Sequence, residues 1–321
     1  MNPSLLVKFD SVIKSIHNKD NCNEFLYPLF GILIDDGTKV GKVSFLNKNK
    51  LHGFSSIDSL FLNDIFAKIA ITEQCKDGRN SLALKYIKET IGYFYILKYC
   101  NSKYVMDECK ILITNKKHYD MDEGLIPYYS IVNDSSLLKN AQFANPGLNF
   151  DYNQFSSNNR KSILEIIEKN EEDRNEIEKK IAKSLEFLYY IINDPNANNR
   201  MTNYFILLNH LFRDHENDIN INGINQYINY YFTKLKPMEF VTGKKNTQVL
   251  SDLYDRLRNN IQHGIIVSEL ESSIIDEHDM ISLKKIIMET IIILAEHPEL
   301  NKHKNMKDVF NDMKAKQKER I

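Results

Sequence analysis

At 321 residues, with 42% apolar and 26% charged side chains, the chain is long enough for two domains that each bury a core and too apolar to stay disordered. A formal net charge of −1 argues against a protein that coats nucleic acid through a broadly basic surface, yet is compatible with a local positive cleft. The four cysteines, Cys22, Cys75, Cys100 and Cys109, contain no C-x-x-C pair; this argues against a zinc site or a disulfide framework and makes a reducing cytoplasm the expected compartment. Neither a run of 18 uncharged apolar residues nor a basic-then-apolar leader is visible, so no membrane span and no signal peptide are expected.

In chain order, β-rich runs come first. Leu26–Ile34 and Lys39–Leu46 flank Asp36-Gly37, a dipeptide suited to a tight turn, and are expected to pair as a hairpin. Phe66–Thr72 reads as a further strand. Asn80–Tyr99 then switches to helical spacing, with Leu82, Ala83, Tyr86, Ile87, Phe94 and Leu97 on one broad face. Lys110–Thr114 and Ile126–Val132 are strand candidates. Asn145-Pro146-Gly147 and the polar run Ser156–Arg160 mark a boundary.

Beyond it the periodicity is helical. Ile163–Ile177 is highly charged and reads as a solvated helix or connector. Ile181–Ile192 is stopped by Asp194-Pro195. Met201–Phe212, Ile224–Leu235, Val249–His263, Ile281–Ala295 and Met306–Met313 complete a set joined by short links, as in a bundle. The expected architecture is an α+β N-terminal domain over residues 1–153, followed by an all-α helical bundle over residues 154–321, mainly helical in total.

The stretch that carries chemistry is Leu253-Tyr254-Asp255-Arg256-Leu257-Arg258-Asn259-Asn260-Ile261-Gln262-His263-Gly264. On a helix at about 100° per residue, Leu250, Leu253, Tyr254, Leu257 and Ile261 form a core-facing stripe about 100° wide. Arg258 and His263 then bracket the opposite face, about 140° apart and about 7.5 Å apart along the axis. Asp255, Asn259 and Gln262 lie between them. Gly264 is placed to end the helix, which leaves His263 in the last turn, where the dipole favours a protonated imidazole.

A bare arginine–histidine spacing of five is also what a solvated helix face produces. The surrounding residues add more. Tyr254, Arg258, Asn259, Ile261, His263 and Gly264 follow a pattern that resembles the HEPN superfamily, in particular its Apea-like branch, over roughly residues 175–300. The resemblance implies a ribonuclease needing neither metal nor cofactor, with Arg258 and His263 catalytic and Asn259 as the polar residue that follows the arginine. It also implies a two-fold homodimer, in which two Arg/His pairs share one cleft. One histidine would then serve as base and the other as acid. Such proteins often carry an acidic residue in the preceding apolar helix, where this chain reads Leu208-Asn209-His210-Leu211.

The chemistry fits those side chains. Cleavage by the 2′-OH needs a base, an acid for the departing 5′-oxygen, and positive charge on the phosphate. Histidine transfers protons near neutral pH, and arginine presents a fixed fork to phosphate oxygens. By analogy with the family, the role is antiviral defence or toxin-like growth arrest, with RNA as substrate and an inhibitory or activating protein as a further partner. The competing reading is a non-catalytic HEPN module that binds a nucleotide or a protein. The N-terminal half is expected to sense, dimerise or position RNA. His210, Arg213, Asp214 and His215 read first as a polar helix end. Lys314, Lys316, Lys318 and Arg320 read first as a solvated terminus and second as an RNA-contacting arm.

Overall fold

The computed structural model describes residues 24–47, 65–71, 78–101, 110–113, 150–155, 160–194, 196–212 and 277–318. The described chain is mainly helical with a small sheet region. It separates into two compact units, one of residues 1–101 and 107–160, the other of residues 102–106 and 161–321.

The first unit contains all the described strands: β1 (Glu24–Phe30), β2 (Ile32–Leu33), β3 (Lys39–Val40), β4 (Val43–Asn47), β5 (Ile65–Ala70), β6 (Leu112–Ile113) and β7 (Phe150–Asp151). Five of them form a sheet in the order β3-β4-β5-β1-β6, antiparallel throughout. Phe45 pairs with Ala67, and Ala67 pairs with Tyr27. Directly opposed residues share a face, so these three, with Val43, Ile65, Ile69 and Leu29, form the face that is buried.

The expected hairpin between Leu26–Ile34 and Lys39–Leu46 is not what forms. β1 pairs with β5 and β6, while β3 and β4 make their own hairpin through Gly41 and Lys42. The Asp36-Gly37 turn instead leads into that hairpin: Gly37 N–H donates to the Phe45 carbonyl (2.8 Å), and the Asp36 carboxylate accepts from Asn47 N–H (2.7 Å). Local turn chemistry was legible, but β1 is claimed by a partner more than thirty positions away, because central pairing buries more apolar surface than a local hairpin does.

Gly31 divides β1 from β2 at φ +83°. A Cβ there would lie 2.0 Å from the Lys110 carbonyl oxygen, so only glycine fits. The kink carries the chain out of the large sheet and into a parallel pairing of β2 with β7, where Phe150 N–H donates to the Gly31 carbonyl (2.9 Å).

Helix α1 (Arg79–Asn101) packs on β4, β5 and the short α2 (Tyr152–Phe155). Every position from Glu89 to Leu97 is buried, so this half of the helix is enclosed on all sides rather than one-faced. Phe94 lies at the centre, stacked on Phe150 (5.0 Å between centroids) and tilted against Phe45 (5.6 Å) and Tyr152 (5.4 Å). Burial pushes the hydroxyls of Tyr27 and Tyr93 well above the usual phenolic range, keeping both neutral.

The second unit is described as α3 (Lys161–Glu168), a 3₁₀ turn (Glu171–Asp173), α4 (Glu176–Asn193), α5 (Ala197–Phe212), α6 (Glu277–Glu296), α7 (Pro298–Asn301) and α8 (Met306–Lys318). The segment expected to be one solvated helix or connector, Ile163–Ile177, is broken in two, and Ile163, Ile166, Ile167 and Ile177 all enter the core. Its charges sit at the break. Buried Arg174 donates from Nε to the Ile166 carbonyl (3.1 Å) at the end of α3, a carbonyl that also accepts from Lys169 N–H (3.3 Å). Asn175 caps α4 through a reciprocal box: its side chain accepts from Glu178 N–H (2.8 Å), and the Glu178 carboxylate accepts from Asn175 N–H (3.0 Å). Lys169 closes the arrangement with a 2.6 Å ion pair to Glu178.

Candidate functional site

The candidate chemistry belongs to the second unit, whose described helices enclose a continuous apolar core. α6 touches α3, α4 and α5, and α4 lies along α5. Its run from Ser282 to Ala295 is buried apart from Lys284 and Lys285. α5 contributes Met201, Tyr204, Phe205, Leu207, Leu208, Leu211 and Phe212 to the same core. α6 is therefore buried nearly all round from Ile286 to Ala295, as an inner member of a bundle is, whereas α5 buries one broad face and leaves Ile206 exposed.

Arg258, Asn259 and His263, with the rest of Leu250–Gly264, lie outside the described residues. So do the expected elements Ile126–Val132 and Ile224–Leu235, and the cluster members Arg213, Asp214 and His215. What is described are the helices that precede and follow the Arg/His segment in the chain. α5 before it and α6 after it are in mutual contact.

At the Leu208-Asn209-His210-Leu211 step of α5, the two leucines are buried, and Asn209 and His210 are half-buried. The His210 carbonyl accepts from Lys180 Nζ of α4 (3.1 Å), which ties the last turn of α5 to its neighbour and places a cation where the helix dipole favours one.

A feature of the unit not picked out in the sequence is Glu289. Its carboxylate belongs to the apolar run of α6 and the residue is only 5% exposed. Beside it, the Thr290 hydroxyl donates back to the Ile286 carbonyl (2.8 Å). Buried carboxylates are retained only with partners. The signal was available: an acidic residue interrupting Ile286–Ala295, where every other position except Thr290 is apolar.

Among the described residues, no group of three or more His, Cys, Asp or Glu side chains is placed to hold a metal ion. No described helix is long and apolar enough to cross a membrane. No family model matches the chain, and comparison with curated proteins and with solved structures gave no match.

Proposed function

We propose that the chain is a metal-independent endoribonuclease built as an α+β N-terminal domain followed by a HEPN-type helical bundle, with Arg258, Asn259 and His263 as its active residues. The observation that carries this reading is the run Arg258-Asn259-x-x-x-His263-Gly264, closing a segment with the apolar period of an amphipathic helix. The described helices of the second unit support it. They form the packed apolar core on which such a segment needs to lay its stripe, and the two helices flanking it in sequence touch one another.

The reaction follows from the side chains. A histidine takes the proton of the ribose 2′-OH, and that oxygen attacks the adjacent phosphorus. The P–O5′ bond breaks, a second histidine protonates the departing 5′-oxygen, and the products are a 2′,3′-cyclic phosphate and a free 5′-hydroxyl. Arg258 neutralises the charge that grows on the non-bridging oxygens. One His263 per chain provides one proton-transfer group, so a two-fold homodimer supplies the pair. A cytoplasmic role in defence or growth arrest, held in check by a protein partner, completes the proposal by analogy alone.

The test uses purified wild-type, Arg258→Ala and His263→Ala proteins incubated with total RNA in excess EDTA, followed by analysis of fragment ends. Wild type is expected to leave cyclic phosphates, and each variant to cleave at least about 100-fold more slowly while keeping its helical circular dichroism. Equal cleavage by all three proteins removes the reading.

A further inference from the structure

The first unit holds a thiol whose surroundings packing does not explain. Cys100 lies one residue before the end of α1, half-buried and not in a disulfide. Its sulfur accepts from Arg160 Nε at 3.4 Å, a contact between residues sixty positions apart. Inert structural cysteines sit in apolar surroundings, whereas reactive ones sit beside a cation. Two effects of opposite sign act on this sulfur. The last turn of a helix carries about half a negative charge, which disfavours a thiolate. Arg160 brings a full positive charge into contact with the sulfur, so attraction wins. The thiolate is the nucleophile, and Arg160 is what favours it here.

The Tyr93 hydroxyl belongs to the same cluster. Tyr93 precedes Cys100 on α1 by two turns and shares its face, about 20° away around the helix. It is fully buried, and among the described residues its hydroxyl has no hydrogen-bond partner. Tyr152, Cys100 and Arg160 all act electrostatically on that hydroxyl, and the Arg160 backbone N–H approaches it without completing a hydrogen bond. Burial holds the phenol neutral, so it keeps a proton to donate. A buried donor without an acceptor costs stability in the resting protein. An oxygen arriving beside Cys100 supplies the missing acceptor.

We propose that Cys100 is a site of reversible oxidation by hydrogen peroxide, with Arg160 holding the thiolate and Tyr93 donating to the oxygen that leaves. The thiolate sulfur attacks one peroxide oxygen, so that the S–O bond forms and the O–O bond breaks. The sulfur loses two electrons and the peroxide gains them. The departing hydroxide, stabilised by the Tyr93 O–H as its charge grows, takes a proton from solvent and becomes water. A sulfenic acid remains on Cys100. A small thiol reverses the change in two steps: one equivalent displaces water to give a mixed disulfide, and a second releases Cys100. All four residues, Tyr93, Cys100, Tyr152 and Arg160, belong to the first unit, and the inference is independent of the nuclease reading.

The test exposes the reduced full chain to hydrogen peroxide, traps sulfenic acid with dimedone and quantifies each cysteine peptide by mass spectrometry. Alkylation by iodoacetamide is timed in parallel across a range of pH. In wild type, Cys100 is expected to gain the dimedone adduct ahead of Cys22, Cys75 and Cys109, and to lose it when dithiothreitol precedes the dimedone. Arg160→Gln should slow both reagents about tenfold near neutral pH and move the alkylation profile to higher pH, with Arg160→Lys restoring most of the rate. Tyr93→Phe should slow peroxide alone, about fivefold, because the iodide that leaves iodoacetamide needs no donor. Since that hydroxyl has no partner, its removal should leave the thermal midpoint in place. The proposal is overturned if Cys100 reacts no faster than the other three cysteines, or if Arg160→Gln leaves the pH profile unchanged. It is equally overturned if Tyr93→Phe slows both reagents alike or neither. Should Arg160→Gln lose its helical circular dichroism, the Tyr93→Phe comparison decides.

Discussion

The two units enclose a central helix in different shells. In the first, α1 lies between the strands β4 and β5 and the aromatic pair Phe150 and Tyr152. In the second, α6 is surrounded by α3, α4 and α5. Both central helices place a glutamate–threonine pair in their buried half, Glu89-Thr90 and Glu289-Thr290, and in both the threonine hydroxyl returns to the carbonyl four residues back. That local bond satisfies the hydroxyl without any tertiary partner, so a threonine can enter either core at little cost. α4 differs from both: Lys179, Lys183 and Tyr190 line an exposed outer face, while its inner face holds Ile181, Leu185, Leu188 and Ile192. The number of layers around a helix, more than its own pattern, decides how much of it is buried.

If the shells are independent, damage to one centre should stay in its own unit. The largest effect is expected from Phe94→Ala, which empties the middle of the aromatic cluster. A loss of about 3–5 kcal/mol should appear as faster amide exchange in α1, β4 and β5, with α4 and α5 unchanged. Equal loss of protection in both units would break the comparison. A smaller effect is expected at the entry of α4. Asn175→Ala removes one half of the capping box and should cost about 1 kcal/mol, read as an earlier denaturant midpoint for the second unit alone. The smallest tests the outer face of α4. Lys179→Ala removes an exposed ion pair with Glu176 and should shift stability by less than about 0.5 kcal/mol. A thermal shift like that of Asn175→Ala would show that this face is not free.

Much of the helical part could be read in advance. The expected helix Asn80–Tyr99 is observed as Arg79–Asn101, Ile281–Ala295 as Glu277–Glu296, and the helix expected to stop at Asp194 ends at Asn193. Helices are held by bonds four residues apart, so their signal is local. Strand partners were misread, because β1 chooses among distant segments and its own alternation does not say which. The break at residues 169–175 was missed for a related reason. Its charges suggested solvent, yet Arg174 and Glu178 spend their polar groups on the backbone at the helix ends while isoleucines beside them turn inward. For the candidate site the sequence supplied Arg258, Asn259 and His263; the structure adds the packed helices on either side of them in the chain and the buried carboxylate of Glu289.

By itself, the sequence determined the spans of α1 and α6 to within a few residues and the end of α4, which of their residues are apolar, and which one segment combines a guanidinium, an amide and an imidazole at helical spacing. Those are properties of neighbours along the chain, fixed by backbone bonding and periodicity. Tertiary structure alone decided that β1 pairs with β5, that Gly31 must lack a side chain because the Lys110 carbonyl approaches it, and that the stretches Glu89–Leu97 of α1 and Ile286–Ala295 of α6 are buried at every position. Each of these depends on what distant segments bring to the same place, and burial is a free energy of the assembled layers rather than of any one of them.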